Sequence, residues 1–396
     1  DLLLGLPNFD LDLVVEGDAI ALANHLATAY GGRTRSHARF GTATWTVTPR
    51  AMPLTGRRPL ALDFVTARTE FYERPAALPR VEAGSLRHDL YRRDFTINTM
   101  AICLNGARYG ELIDFYGGKA DLDRRLIRVL HNLSFIDDAT RILRAARLAE
   151  RLNFDIEART AALIDDARSS LERVSGQRIQ HELKLLFEEA QPERIIKRLD
   201  DLDVLSHIHQ GLRYTPWLAD RFAALRHALP TWQSWGLTLS SIRPAPLFAA
   251  YLAILSYPLS RPEVAQLMAR LSLAGQVGRL LHQVWDLRQQ TERLASSARP
   301  SDIYRLLQPY LLEAIAIVHL CEDAAPVRQA IALYIEKLRH VRTDVTGSTL
   351  QSMGVRPGPI YGRILDALLV ARLDGDVANR QEEEQLLRKL LARQSD

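Results

Sequence analysis

The first apolar run, Leu13-Val14-Val15, is bounded by polar residues and preceded by Asp10-Leu11-Asp12. A short buried strand accounts for the run. Asp18 to Tyr30 predicts a helix: Asp18 can cap it, alanine and leucine fill it, and Gly31-Gly32 ends it. Thr42 to Pro49 alternates Thr, Trp and Val and predicts a strand. Leu60 to Thr66 predicts another, with Asp63 in its middle. A loop rich in Pro, Arg and Glu is expected from Glu73 to Gly84. Beyond about Asp121 strand patterns nearly vanish. Helical periodicity takes over in Asp138 to Leu152, Arg178 to Glu189 and Pro192 to Leu199. Breaks at Pro216, Pro230, Pro244, Pro246, Pro258, Pro262 and Pro300 divide the remaining chain into further helices. The expected fold is α+β: a small mixed-sheet head, then an all-helical neck, body and tail.

At 396 residues the chain is long for one core, so two or more domains are expected. Its longest purely apolar stretch, Leu247 to Leu255, is too short to cross a bilayer. Cys103 and Cys321 define neither a disulfide framework nor a zinc spacing, which fits a reducing cytoplasm. The net charge of +4 is permissive for nucleic acid. Its distribution says more, because arginines dominate Arg141 to Arg151 while carboxylates cluster near the start.

Four stretches carry candidate chemistry. On a strand, Asp10 and Asp12 share a face, and two unpaired carboxylates that close repel each other unless a cation neutralises them. Magnesium prefers such oxygen ligands and bridges to phosphates. Two exposed loop aspartates are the plainer alternative. A charge in mid-strand is costly unless paired or metal-bound, so Asp63 is a third carboxylate for the site, with an ion pair to Arg68 as the competing reading and Glu70 as runner-up. In Tyr91-Arg92-Arg93-Asp94-Phe95-Thr96-Ile97-Asn98, Arg92 and Arg93 can clamp phosphate oxygens. Asp94 and Asn98 can bond sugar hydroxyls or fix those arginines. In Asp114-Phe115-Tyr116-Gly117-Gly118-Lys119-Ala120-Asp121, the glycines supply a tight turn and Asp121 can cap a helix. In Asp137-Asp138-Ala139-Thr140-Arg141-Ile142-Leu143-Arg144, Asp138 and Arg141 stand three apart at a helix start. An acceptor beside a donor matches the amino and ring-nitrogen edge of adenine and cytosine, and rejects uracil and guanine. A helical ion pair is the alternative. His207-Ile-His209 lacks further ligands at metal spacing. Trp217, Trp232 and Trp235 stay open between core packing and base stacking.

Taken in order, these residues resemble the class II tRNA nucleotidyltransferases and bacterial poly(A) polymerases. The match runs through Asp1 to Leu4, Asp10-x-Asp12, Arg92-Arg93-Asp94-Phe95-Thr96, the Gly117-Gly118 turn, Asp137-Asp138-x-x-Arg141, and Ser175-Gly-Gln-Arg178-Ile-x-x-Glu182-Leu. Gly347, Gly354-Val-Arg356-Pro-Gly-Pro359 and Leu373-Asp-Gly375 resemble the helical tail that holds tRNA in many members. The resemblance implies a nucleotidyltransferase head (1–120), a neck for base recognition and RNA binding (121–190), a body (191–300) and a tRNA-binding tail (301–396). It implies that a tRNA 3′-hydroxyl attacks the α-phosphate of ATP or CTP and releases pyrophosphate. Magnesium would sit on Asp10 and Asp12, with Asp63 supporting. Arg92, Arg93 and Asp94 would hold ribose and triphosphate, and Asn98 and Arg144 would also bind the nucleotide. Asp138 and Arg141 would read the base, and Arg178 and Arg356 would contact RNA. The loop from Glu73 to Gly84 lies where the family has a flexible loop associated with A addition.

Two departures matter. The family's Gly-Gly-x-Val-Arg segment would fall just before Asp1, so further N-terminal sequence or domains are expected. Asp137 stands where the family usually has Glu. A non-catalytic tRNA-binding piece of a longer protein and a poly(A) polymerase remain alternatives. The long basic helical body argues against a small-molecule acceptor.

Overall fold

The computed structural model describes residues 2–6, 11–47, 60–71, 80–237, 246–355 and 357–392. They fall into two compact units, Asp1–Val174 and Ser175–Asp396.

The first unit opens on strand β1 (Asp12–Val15) and helix α1 (Ala19–Tyr30). The Asp18 carboxylate accepts from the Ala21 N–H at 2.9 Å, so the helix starts as its sequence predicts. Strands β2 (Arg33–His37), β3 (Thr42–Val47) and β4 (Leu60–Thr66) come next. The sheet runs β1-β4-β3-β2, with β1 parallel to β4 and the other pairs antiparallel. Ala19 and Ala23 of α1 pack on Ala43, Trp45, Val47 and Phe64, flanked by Leu13, Val15 and Leu62. Small residues on α1 let it lie close to the sheet. Gly32 is required here, since a Cβ would stand 2.5 Å from the Thr46 carbonyl. The end of the segment expected to be a loop from Glu73 to Gly84 is strand: β6 (Arg80–Ala83) pairs antiparallel with β5 (Arg68–Phe71), which precedes that segment. Residues 72–79 lie outside the described ones.

Helix α2 (Leu86–Tyr91), the pair β7 (Met100–Ile102) and β8 (Leu112–Asp114), and helix α3 (Gly118–Arg124) complete the head. Beyond them β9 (Leu126–Ile127) pairs with β10 (Asp155–Ile156) around α4 (Ser134–Asp137) and α5 (Thr140–Leu152), and α6 (Ala158–Ala167) comes after. Among the described residues, these two-residue strands are the last.

The second unit is helical. Helices α7 (Gly176–Phe187) and α8 (Pro192–Asp201) realise the periodic segments of the sequence. Its core centres on Phe187, 5.4 Å from Tyr251 and 5.9 Å from Phe222, ring centre to ring centre. Trp232 is buried, which decides for core packing over stacking at that position. Trp217 stacks on Tyr257. Toward the C-terminus Val345, Leu350, Ile364, Leu368 and Leu387 make a separate cluster. There the buried Glu383 accepts from the Asp344 and Val345 amides. Among the described residues, no helix is long and apolar enough to cross a membrane.

Candidate active site

The strand register builds the first part of the site. Asp12 on β1 pairs with Asp63 on β4, Asp63 with Thr44 on β3, and Thr44 with Arg35 on β2. Residues opposite one another in a sheet project to the same face. Their neighbours Leu13, Phe64, Ala43 and Trp45 face α1, so the polar row lies on the face away from that core. Thr44 Oγ1 donates to Asp63 Oδ1, which fixes one carboxylate oxygen. Arg68, the competing partner for Asp63, donates to the Phe40 carbonyl at 3.1 Å. Asp10 lies outside the described residues, and Glu70 sits on β5. Among the described residues no three His, Cys, Asp or Glu side chains group as a metal site.

The second part is the arginine segment after α2. Asp89 is fully buried, and its Oδ1 accepts from Arg92 Nε at 3.1 Å and Nη2 at 2.8 Å. Its Oδ2 stands 3.5 Å from Arg93 Nη2. Arg93 Nη1 also donates to the Asn98 carbonyl at 3.4 Å. Asp89 is an addition to the residues expected from sequence, although a carboxylate three and four residues before two arginines is a readable helical signal.

The third part fastens that segment to α5. Asp94 accepts from the Phe95 N–H at 2.9 Å, from Asn98 Nδ2 at 3.0 Å, and from Arg144 through Nε at 2.8 Å and Nη2 at 2.5 Å. Burial alone would raise the Asp94 carboxyl pKa, but the Arg144 charge and the bonds from Asn98, Arg144 and Phe95 bring it below the ordinary value. One turn earlier on α5, Arg141 donates to Ser134 Oγ and to the Arg92 carbonyl, both at 2.7 Å. Asp138 precedes the helix in extended conformation, and its Oδ1 accepts from the Thr140 N–H at 3.0 Å and hydroxyl at 2.7 Å. Asp138 therefore holds the first residue of α5 from just before the Ala139 cap position, while Arg141 ties the helix start to the arginine segment. The candidate phosphate-binding and base-reading residues thus meet through Arg92 and Asp94, across nearly fifty residues of sequence.

The Gly117-Gly118 turn supports this junction. Asp114 accepts from the amides of Tyr116 (3.3 Å), Gly118 (2.8 Å) and Lys119 (2.9 Å). Asp121 accepts from Thr96 Oγ1 at 2.5 Å and Arg128 Nε at 2.7 Å. Both carboxylates serve the turn and its packing. A Cβ on Gly118 would stand 2.3 Å from the Thr96 carbonyl, so the residue there must lack a side chain.

In the second unit, Arg178 lies in the first turn of α7. Arg356 lies outside the described residues. His209 Nδ1 accepts from the Gly211 amide at 3.1 Å, a local bond.

The poly A polymerase head domain family matches residues 1–128, and the family described as the probable RNA and SrmB-binding site of polymerase A matches residues 153–214. The A-adding tRNA nucleotidyltransferase of Geobacter sulfurreducens is 36% identical over 98% of this chain. The chain spans 44% of that relative's length. The A-adding tRNA nucleotidyltransferase of Halalkalibacterium halodurans is 32% identical over 98% of this chain and 86% of its own. The structure of the Thermotoga maritima CCA-adding enzyme complexed with tRNA superposes with a TM-score of 0.74 at 32% identity, covering 99% of this chain and 88% of that one. These matches span the carboxylate row, the arginine segment and the helical second unit together, and the chain belongs to the tRNA nucleotidyltransferase and poly(A) polymerase family.

Proposed function

We propose that this chain adds AMP to the 3′ end of tRNA without a template: the terminal 3′-hydroxyl attacks the α-phosphate of ATP and pyrophosphate leaves. The observation that carries this reading is the register that sets Asp12 beside Asp63 on the open sheet face. The A-adding relatives favour ATP as substrate, and the Asp138/Arg141 chemistry leaves CTP as a second nucleotide. The row suits magnesium, because its donors are hard carboxylate oxygens and Thr44 holds one of them in place. Asp12 would ligate the metal with Asp10, and Asp63 would support them. Bound there, magnesium supplies charge that lowers the hydroxyl's pKa and stabilises the leaving oxygen.

The chain's own residues orient the nucleotide. Arg92 and Arg93 grip the phosphates. The bonded group of Asp94, Asn98 and Arg144 frames the ribose. Asp138 and Arg141 present an acceptor and a donor to the base. Arg178 and Arg356 contact RNA phosphates. Residues 1–120 act as head, 121–190 as neck, 191–300 as body and 301–396 as tail, in a cytoplasmic setting.

The test is incorporation of radiolabelled ATP and CTP, separately and together, into tRNAs lacking CCA, CA or only the final A. The expected result is AMP added once, and only to tRNA ending in CC. Addition of C, or of all three nucleotides, would keep the reaction and overturn the A-adding assignment. Long A tails on any RNA would make the chain a poly(A) polymerase. Binding of tRNA without incorporation would make it a non-catalytic tRNA-binding protein.

A further inference from the structure

We propose that Asp89 is the positioning residue of the nucleotide clamp, holding Arg92 and Arg93 in the orientation that receives the triphosphate. This rests on the reading of those two arginines given above. Adjacent guanidinium groups repel, and long side chains lose much freedom when ordered. A carboxylate facing both addresses each problem. Asp89 is fully buried, where an unpaired carboxylate is costly, so it is compatible with the fold only while the arginines face it. Its Oδ1 takes two bonds from Arg92, at 3.1 and 2.8 Å, and its Oδ2 lies 3.5 Å from Arg93. The Arg92 and Arg93 side chains remain 20% and 28% exposed, so both reach the surface beside their buried anchor.

Two further contacts make the arrangement more than an ion pair. The Arg68 amide, at the base of the β5–β6 hairpin, donates to the same Oδ1 at 3.3 Å. The Arg92 carbonyl accepts from Arg141 at 2.7 Å, so Arg92 is fixed at its backbone by the base-reading helix and at its side chain by Asp89. With one negative charge against two positive ones, the cluster keeps a net positive charge for a phosphate. Asp89 itself faces away from solvent and acts only through the arginines.

The test is a kinetic cycle with Asp89→Asn, Arg92→Ala and the double variant, measuring KM for ATP and for tRNA separately together with the thermal midpoint. D89N is expected to raise KM for ATP roughly tenfold while KM for tRNA stays within about twofold, because pre-ordering is lost only at the nucleotide. The double variant is expected to raise KM for ATP by clearly less than the product of the two single effects, since Asp89 acts partly through Arg92 and partly through Arg93. Independent, multiplicative effects would overturn the proposal, as would equal rises in both KM values. R92A with unchanged KM for ATP would remove the reading of the arginines and the inference with it. Arg92→Lys tests the same point if D89N does not fold. It keeps the charge but loses the two-pronged bond to Asp89, and is expected to raise KM for ATP by a similar factor. KM for ATP within about twofold of the parent in R92K would overturn the proposal.

Discussion

Asp94 joins the head to α5 through one nearly buried carboxylate shared by Phe95, Asn98 and Arg144. Its folded pKa is depressed, so its contribution is present above the unfolded carboxylate pKa and is lost as pH falls through the folded one. Asp94→Asn is therefore expected to cost about 3 kcal/mol near pH 7 by removing the buried charge that Arg144 and Asn98 bond, with the deficit shrinking toward about pH 3. Urea unfolding at the two pH values checks this. Asp138 lends itself to a specificity test. On the proposed reading, Asp138→Ala removes the acceptor for an exocyclic amino group and is expected to reduce the preference for ATP over UTP on the order of tenfold, measured as a ratio of kcat/KM. The residues of both sites are readable from sequence as types and spacings. Their partners are not: Arg144 meets Asp94 from fifty positions away, and only the tertiary fold brings α5 to that segment. Asp89 is the reverse case, a local signal at helical spacing that the two arginines beside it overshadow.

Among the elements, β1 and β4 matter most, because their register decides which face Asp12 and Asp63 share. A slip of one residue would turn Asp63 into the apolar side packed by α1. The alternation of Leu62, Asp63 and Phe64 makes that register legible once the pairing of the strands is known. Helices α7 and α8 have strong amphipathic periodicity, and the helix from Ala19 has a cap and a Gly-Gly stop, which is why the sequence predicts them. Strand β2 escapes such prediction because Arg-Thr-Arg-Ser-His has no apolar alternation. It is an edge strand, held by pairing to β3 and mostly exposed. Strand β6 hides inside a stretch with loop composition because four residues carry little periodic signal. The Gly-Gly turn gives an element-scale prediction. Gly118→Ala is expected to destabilise the first unit by roughly 1–3 kcal/mol, since the added methyl meets the Thr96 carbonyl and the turn must shift. Thermal unfolding of the variant checks this, and an unchanged midpoint would refute the close approach.

For the whole molecule, the division into Asp1–Val174 and Ser175–Asp396 separates the carboxylate and arginine sites from the long helical array. Arg141 and Arg144 explain why residues just after 120 cluster with the head: they bond to Arg92 and Asp94. This coupling joins residues about fifty positions apart, which no local sequence pattern shows. Labour is expected to divide along the same line. Residues 175–396 expressed alone should bind tRNA with strong salt dependence and no affinity for ATP, which filter binding at two ionic strengths would reveal. The carboxylate row on the open sheet face is proposed to drive AMP transfer. The most direct measurement is single-turnover AMP incorporation into tRNA ending in CC by the parent chain, Asp12→Asn and Asp63→Asn, with ATP binding and thermal midpoint measured in parallel. Both variants are expected to stay folded, still bind ATP, and lose on the order of a hundredfold in rate. Rates within about twofold of the parent would contradict the claim and place the chemistry elsewhere.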